Sequence, residues 1–442
     1  MKITSGPIIK PLLMFFFPIL FGTFFQQLYN TVDALVVGNF LGKEALAAVG
    51  GTTGTYVNLY VGFIVGLASG ATVLISQYFG SSDYRGVSKT VHTGMALSVI
   101  VGLIFSIICI LTSQFALVAL GVPDEILEMS LTYTNIYFAG LIPLLIYNMG
   151  CSILRAVGDS KHPLYYLIAA SIVNTILDIV FIAVFHMGVA GAAIATVIAE
   201  IVSAALCVLS LIRSQDALHL ELKELRVDKK ITLDIIRIGF PAGVQSVLYS
   251  ISNLVINASI NGFGVDSIAA FTAYGKIDQL YWQTVGALGI AITTFVGQNY
   301  GAKEYGRVKS GINRWLLLSC IITLVITAIV CLFAPGLISI FNNDANVIAI
   351  GSVIIFAIAP FWIFYTPVEI LAGGLRGVGN SIIPTIITAC GVVGVRIFWA
   401  LIMSPGNDLG FLLLAYPISW CITGLIFLAY YYLYYRRKLH AA

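Results

Sequence analysis

Three stretches of this chain, Thr93 to Pro123, Trp315 to Asn343 and Leu409 to Tyr435, contain no Asp, Glu, Lys or Arg. Each exceeds the roughly 20 residues a helix needs to cross the hydrocarbon core of a bilayer. Such runs read as membrane-spanning helices, and the solvent for most of the chain is lipid. Composition agrees: of 442 residues 59% are hydrophobic and only 10% charged, which lies outside the range of soluble domains.

Hydropathy and the punctuating Gly, Pro and charge clusters predict twelve spans. They lie near 13–38, 52–78, 92–119, 131–154, 164–186, 190–212, 236–262, 272–298, 314–340, 346–372, 382–404 and 410–435. The first holds Asp33 and is followed by no small-residue cleavage site, so it reads as a retained helix rather than a signal peptide. Of 23 Lys and Arg residues, 20 fall in the termini, in the loops after the second, fourth, sixth, eighth and tenth spans or, as Arg237 and Arg314, at the span edge next to such a loop. Cationic loops stay cytoplasmic, so both termini are expected inside, a parity that requires an even number of spans. The opposite loops are expected to hold Asp124, Glu125, Glu128, Asp266, Asp344 and Asp408.

The chain repeats itself. LRAVGDSKHP (Leu154 to Pro163) recurs as LRGVGNSIIP (Leu375 to Pro384), and SQYFGSSDY (Ser76 to Tyr84) answers GQNYGAKEY (Gly297 to Tyr305) at the same offset. FFPILFG (Phe16 to Gly22) matches GFPAGVQ (Gly239 to Gln245). Six spans per copy give both halves the same orientation, related by an axis along the membrane normal. Such halves commonly enclose a midplane site and expose it alternately. The expected organisation is an N-terminal six-helix bundle over 1–212, a cytoplasmic linker over 213–235 and a C-terminal six-helix bundle over 236–442. The linker's alternating charges suit a solvated or interfacial helix. Gly62, Gly66 and Gly70 form a GxxxGxxxG face read as packing.

The chain carries no GxxxxGK[ST] loop for ATP phosphates, no HExxH and no GxSxG elbow, so hydrolase chemistry and ATP-driven pumping lack their parts. No enzyme is expected, and the energy source should be an ion gradient. The seven cysteines lack CxxC or CxxH spacing and read as small buried hydrophobes rather than disulfide or zinc ligands.

Residues charged within spans cost about 2.5–3.5 kcal/mol each on insertion scales, so each needs a reason. Seven qualify: Asp33, Asp178, Glu200, Lys276, Asp278, Glu369 and Arg396. Asn174 and Asp178 are four apart and share a helix face, an amide beside a carboxylate that suits a hard cation. Glu200 reads as snorkelling or structural. Asn148 and Glu369 occupy equivalent repeat positions, each seven residues before the arginine of its LRxxG block. Glu369 either attracts a cationic cargo or pairs with Lys276, and Asp278 follows close on Lys276. Tyr249, Tyr281, Trp282, Trp362 and Tyr365 either stack on flat organic cations or simply pack.

The LRxxG[DN]S blocks, the QxxG blocks and QQLYNTVDALVVGNFLG (Gln26 to Gly42) resemble those of the multidrug and toxic compound extrusion (MATE) transporters, particularly their bacterial DinF-like and MepA-like branches. The resemblance covers essentially the whole length. It implies an all-α membrane protein of twelve helices in two six-helix bundles, arranged as a V. It further implies cation-coupled efflux of amphipathic, usually cationic compounds. Asp33, Asn174, Asp178 and Thr196 resemble the family's N-half cation site for H⁺ or Na⁺, and Pro18 resembles a proline at which the first helix straightens or kinks. Alternatively, Asp33 is a hydrated interfacial acid, Asp178 and Thr196 make structural hydrogen bonds, and Pro18 is a packing kink. Arg396 resembles an arginine of the eleventh helix, read as part of a structural ion pair. Where the better-known branch has a carboxylate eight residues after the seventh-helix GFP turn, this chain has Tyr249.

The function expected is therefore a secondary efflux antiporter in the bacterial cell membrane, exchanging cargo for H⁺ or Na⁺. Its alternative is a lipid or lipid-linked oligosaccharide flippase of the same superfamily. Asn148, Tyr249, Lys276, Asp278, Tyr281 and Glu369 are the expected cavity residues. No cofactor is expected beyond Na⁺ as a coupling ion. The expected partners are amphipathic or cationic small molecules and membrane lipids, with no nucleic acid, and the chain is expected to act as a monomer.

Overall fold

The apolar runs become helices, and no strand occurs among the residues described by the computed structural model, 3–406 and 408–435. In chain order these are α1 (Ile9–Leu41), α2 (Lys43–Gly50), α3 (Thr52–Gly80), α4 (Tyr84–Ala119), α5 (Asp124–Ala139), α6 (Leu141–Ala156), α7 (Lys161–Asp178), α8 (Gly188–Arg213) and α9 (Lys229–Ile260). There follow α10 (Val265–Gly301), α11 (Tyr305–Leu332), α12 (Ala334–Ser339), α13 (Ala345–Ile358), α14 (Trp362–Gly377), α15 (Ile382–Thr388), α16 (Val395–Phe398), α17 (Leu409–Leu413) and α18 (Ala415–Ala429). Among the described residues 11 stretches are long and apolar enough to cross a membrane, and a twelfth forms if α5 and α6 count as one span, bent by 49° about Gly140. Asp124, Glu125, Glu128 and Asp266, expected in loops, belong to helices instead. Three of them, Asp124, Glu125 and Asp266, occupy first turns, where carboxylates complement the helix dipole.

Helix α4 shows how such a helix packs without a hydrophobic driving force from water. Its buried face carries Ser98, Gly102, Ser106, Cys109 and Ser113, while Leu103, Ile104, Ile107, Ile108 and Leu111 are exposed. Small residues let neighbouring backbones approach, and their hydroxyls bond across the contact. Ser106 donates to the Phe138 carbonyl at 2.6 Å and Ser113 to Asn135 Oδ1 at 2.8 Å. Of the cysteines, Cys109, Cys151 and Cys207 are buried as expected, but Cys390 is exposed and Cys320, Cys331 and Cys421 are half-buried. An apolar thiol facing lipid carries no desolvation cost, so the apolar setting of these residues does not imply a core position.

The repeat is written in the backbone as well as in the sequence. Left-handed conformations recur at Gly42 and Gly264 (φ 88° each), Ser82 and Lys303 (62° each), and Gly158 and Gly379 (86° and 90°). The latter two pairs are separated by the same 221 residues as the sequence blocks (303 − 82 and 379 − 158). Gly158 and Gly379 follow the LRxV segments because the turn closing α6 and α14 needs positive φ, which costs glycine nothing.

The chain divides into two units: Phe17–Gly243, and Ile3–Phe16 together with the chain from Val244 on. Both cuts fall inside helices, in α1 beside Pro18 and in α9 just after Pro241. The start of each half's first helix therefore belongs to the other half's unit. In the first unit, Ile231, Ile235 and Ile238 of α9 join a core with α3, α4, α6 and α8. A Cβ at Gly66 would overlap the Gly243 backbone, and one at Gly70 would overlap the Ile235 carbonyl. The glycine face is thus a close helix contact.

The segment joining α8 to α9 is not the expected helix: it turns at Asp216–His219, where the His219 N–H donates to the Asp216 carbonyl at 2.9 Å, and again in one 3₁₀ turn at Leu222–Glu224. Leu218 and Leu220 are both buried, and the Leu220 N–H returns to the Leu211 carbonyl of α8 at 3.1 Å. The Glu221 N–H donates to His92 Nε2 at 3.1 Å, and the Asp228 N–H to Thr93 Oγ1 at 3.3 Å. Asp228 then caps α9, accepting from the Lys230 and Ile231 N–H groups at 3.0 Å each. The Ile231 N–H foremost, helped by Lys230, Lys89 and Arg226, holds this carboxyl below its ordinary range. In the second unit Ile3 is pinned in the same manner. Its N–H donates to Gln298 Oε1 at 3.1 Å, its carbonyl accepts from Asn299 Nδ2 at 3.2 Å, and Arg307 donates to the Gly6 carbonyl at 2.9 Å.

Candidate functional site

The first unit gathers its polar residues by helical spacing. Tyr29 and Asp33 on α1, Tyr133 and Tyr137 on α5, Asn174 and Asp178 on α7, and Thr196 and Glu200 on α8 are four pairs, each one turn apart on one face. The structure brings these four faces together. The Asp33 and Asp178 carboxyls come within hydrogen-bonding reach of each other. Tyr29 and Tyr133 lie close enough to feel Asp33, Asp178 and Glu200 alike. The Tyr137 hydroxyl reaches the Glu200 carboxyl.

Asp178 is 0% and Asn174 1% exposed, yet both oxygens of Asp178, both polar atoms of the Asn174 amide, Asp33 Oδ1 and Glu200 Oε2 are buried with no hydrogen-bond partner. Buried polar groups are nearly always satisfied, so several orphans in one place mark a site shaped for a ligand, an ion or water. Among the described residues no Lys, Arg or His forms an ion pair with Asp33, Asp178 or Glu200. Two facing carboxyls without a basic neighbour must share a proton or a cation. Thr196 donates to the Ala192 carbonyl at 3.1 Å, which leaves its oxygen lone pairs free to accept or to coordinate.

The cluster is closed on one side by Val36 and Val37 of α1, Ile182, and Val189, Ala192 and Ala193 of α8. Immediately after Asp178 the chain switches from α to π helix over Ile179–Val184. Single π turns inside helices frequently occur at functional sites, where the wider coil leaves carbonyls off register. Among the described residues no three His, Cys, Asp or Glu side chains form a metal-holding group. A cation held here would therefore rest on two carboxylates assisted by neutral oxygens, with Glu200 standing apart.

The second unit places its charges differently. Glu369 pairs with Arg376 at 2.6 Å, two turns along α14, and not with Lys276, which is exposed on α10. Residues seven apart share a helix face, so the arginine of the LRxxG block reaches back to the acid. At the equivalent positions of the first half, Asn148 donates to the Leu144 carbonyl at 2.9 Å and Arg155 to the Cys151 carbonyl at 3.1 Å. Asp278 accepts from the Tyr274 hydroxyl at 2.9 Å and from the Trp282 and Trp362 indole N–H groups at 2.7 and 3.2 Å.

Arg396 is 1% exposed and makes no ion pair among the described residues, contrary to the expected one. Instead its guanidinium lies 4.4 Å from the Tyr416 ring centroid and 5.4 Å from that of Trp420, and it donates to Asn253 and Ser419 at 3.3 Å each. An aromatic face attracts a cation without bringing in a second charge. The expected cation-stacking rings are turned onto one another: Tyr281 stacks on Trp362 at 4.6 Å, Trp282 meets Tyr365 edge-on at 4.6 Å, and Tyr249 hydrogen-bonds Tyr365 at 3.0 Å.

Tyr29, Tyr133, Tyr137 and the inward turn of Glu200 were missed by sequence reasoning. The signal was the four-residue spacing, which was read on α7 alone.

Comparison with known proteins places these features in a lineage. The MatE family model matches twice, over residues 18–180 and 241–402. A probable multidrug resistance protein of Bacillus subtilis, YoeA, is 25% identical over 434 residues, covering 96% of this chain and 94% of that protein. The multidrug export protein MepA of Staphylococcus saprophyticus is 25% identical over 79% of this chain and 77% of its own length. A solved structure of a MOP superfamily transporter from Pyrococcus furiosus superposes with a TM-score of 0.90 at 22% identity, covering 100% of this chain and 98% of that one.

Proposed function

The chain belongs to the MatE family, and on that premise we propose that it is a secondary antiporter, exporting organic cations or drug-like amphiphiles in exchange for inward H⁺ or Na⁺. The observation that carries this reading is the facing, unpartnered pair Asp33 and Asp178, with the orphaned Asn174 amide beside it and, among the described residues, no basic side chain paired with it. Such a pair binds one positive charge tightly enough to be worth exchanging, whether proton or hard cation. Asn174 and Thr196 supply neutral oxygens to the same charge. When the ion leaves, the pair regains its repulsion and its demand for a replacement cation, and that alternation couples ion entry to cargo exit. Pro18 lies where α1 passes from one unit to the other, at the point of the helix best able to absorb a bend.

In this reading the second unit contributes cargo contacts through Tyr249, Tyr281, Asp278 and Glu369, with Lys276 at its margin, and Asn148 contributes from the first unit. The chain works in the bacterial cell membrane as a monomer, with both termini cytoplasmic, and needs no cofactor beyond its coupling ion and no enzymatic step.

The test is ethidium transport by purified protein in proteoliposomes under separately imposed proton and sodium gradients. Wild type should move ethidium uphill under at least one gradient, and Asp33→Asn should lose that dependence. Uphill transport that survives unchanged in Asp33→Asn removes the coupling role of the pair.

A further inference from the structure

Glu200 has no part in the exchange described above, yet it faces the same cluster. It lies one turn beyond Thr196 on α8, beside Tyr29 from α1 and Tyr133 and Tyr137 from α5, and Tyr29 and Tyr133 also reach Asp33 of α1 and Asp178 of α7. None of these carries a positive charge. One carboxylate oxygen, Oε2, is buried without a partner, while the Tyr137 hydroxyl braces the group. The neighbouring Asn174 amide, 1% exposed, is orphaned at both ends. Glu200 also forms no metal-holding trio with Asp33 and Asp178 among the described residues.

We propose that Glu200, set among the Tyr29, Tyr133 and Tyr137 rings, is the specificity-determining carboxylate that receives the charged nitrogen of an organic cation, separately from the Asp33–Asp178 pair. The proposal rests on the antiporter reading and adds a second address to it. A carboxylate with a free oxygen and tyrosines on several sides is the chemistry that recognises an alkylated or aromatic ammonium. The carboxylate neutralises the charge, and the ring faces attract the spread positive potential that such an ion, unlike H⁺ or Na⁺, carries on its carbons. A bare Na⁺ instead prefers several oxygens at close range, which the Asp33, Asp178, Asn174 and Thr196 set offers. Two addresses of different chemistry let one chamber distinguish cargo from coupling ion, and mutual repulsion between their guests lets arrival of one favour departure of the other.

The experiment compares wild type, Glu200→Gln and Asp33→Asn as full-length proteins. Ethidium binding is read by fluorescence polarisation in detergent, and ethidium transport in proteoliposomes under imposed gradients. Glu200→Gln is expected to weaken ethidium binding and raise its KM about tenfold, or about 1.4 kcal/mol, while transport at saturating ethidium still follows the gradient. Asp33→Asn is expected to bind ethidium and lose the gradient dependence. A Glu200→Gln protein with wild-type ethidium affinity overturns the proposal and leaves the antiporter reading standing. A Glu200→Gln protein that keeps its affinity but loses gradient dependence also overturns it and makes Glu200 a coupling acid. If wild type neither binds nor moves ethidium, both readings fall together. Should Glu200→Gln not yield monodisperse protein, Tyr137→Phe, which removes only the bracing hydroxyl, is expected to weaken ethidium binding several-fold with the gradient response intact, and wild-type affinity there overturns the proposal equally.

Discussion

The Glu369 carboxylate and the Arg376 guanidinium meet at 2.6 Å, with side chains 17% and 16% exposed, so that the LRxxG arginine of the second half is neutralised from within its own helix. Breaking a largely buried pair from one side leaves an uncompensated charge, which costs more than the pair contributes. Glu369→Gln is expected to lower stability by about 1–3 kcal/mol. The Glu369→Gln/Arg376→Gln double variant is expected to recover much of that loss in a thermal-unfolding cycle. Additive losses would show that the two groups do not interact.

Protonation of the Asp33 and Asp178 pair removes the negative charge that a cation needs. Na⁺ affinity of the wild-type protein is therefore expected to fall as pH is lowered. In Asp178→Asn one titrating acid of the pair is gone, so the dependence should flatten. Binding isotherms across a pH series check this, and parallel curves for the two proteins would refute it.

Close helix contact at Gly66 and Gly70 leaves no space for a methyl group against the α9 backbone. Gly70→Ala is expected to cost about 1–3 kcal/mol as overpacking. Gly286→Ala on α10, where a Cβ meets nothing within 4 Å, should cost nothing measurable. Melting temperatures of the two purified variants decide it.

Asp228 anchors the start of α9 through two backbone N–H groups that favour its charged form. Because its folded pKa is depressed, its contribution is fully present above the ordinary Asp value of about 3.9 and is lost as pH falls through the lower folded value. Asp228→Ala should therefore lower the melting temperature at neutral pH and flatten its decline below about pH 4. An unchanged acid limb would show that the cap contributes nothing.

Spans, repeat and half-by-half symmetry were legible because each is a property of local composition: charge-free runs, matched blocks, glycines at turns. Partnerships across helices were harder. Spacing along α8 places Thr196 and Glu200 on one face, but only packing shows that this face meets those of Asp33, Asp178 and Tyr137. Arg376 was read with the loop motif, so Lys276 was the nearest base in view for Glu369, although the two share no ion pair. Likewise the alternating charges after Arg213 suggested a helix, whereas Leu218 and Leu220, buried in a core with Cys207 and Leu211, turn that segment back on α8. Hydrophobic and charge periodicity state what a segment prefers alone, and a neighbouring surface settles it.

Ile3 finds its hydrogen-bonding partner 295 positions further along the chain, at Gln298. During synthesis Ile3 and Gly6 thus wait for their seat until α10 and α11 have been made, while Asp228 and the head of α9 find theirs already built. The segment before α1 cannot settle until the second half has been made, so a product cut short before α10 leaves Ile3 without its seat.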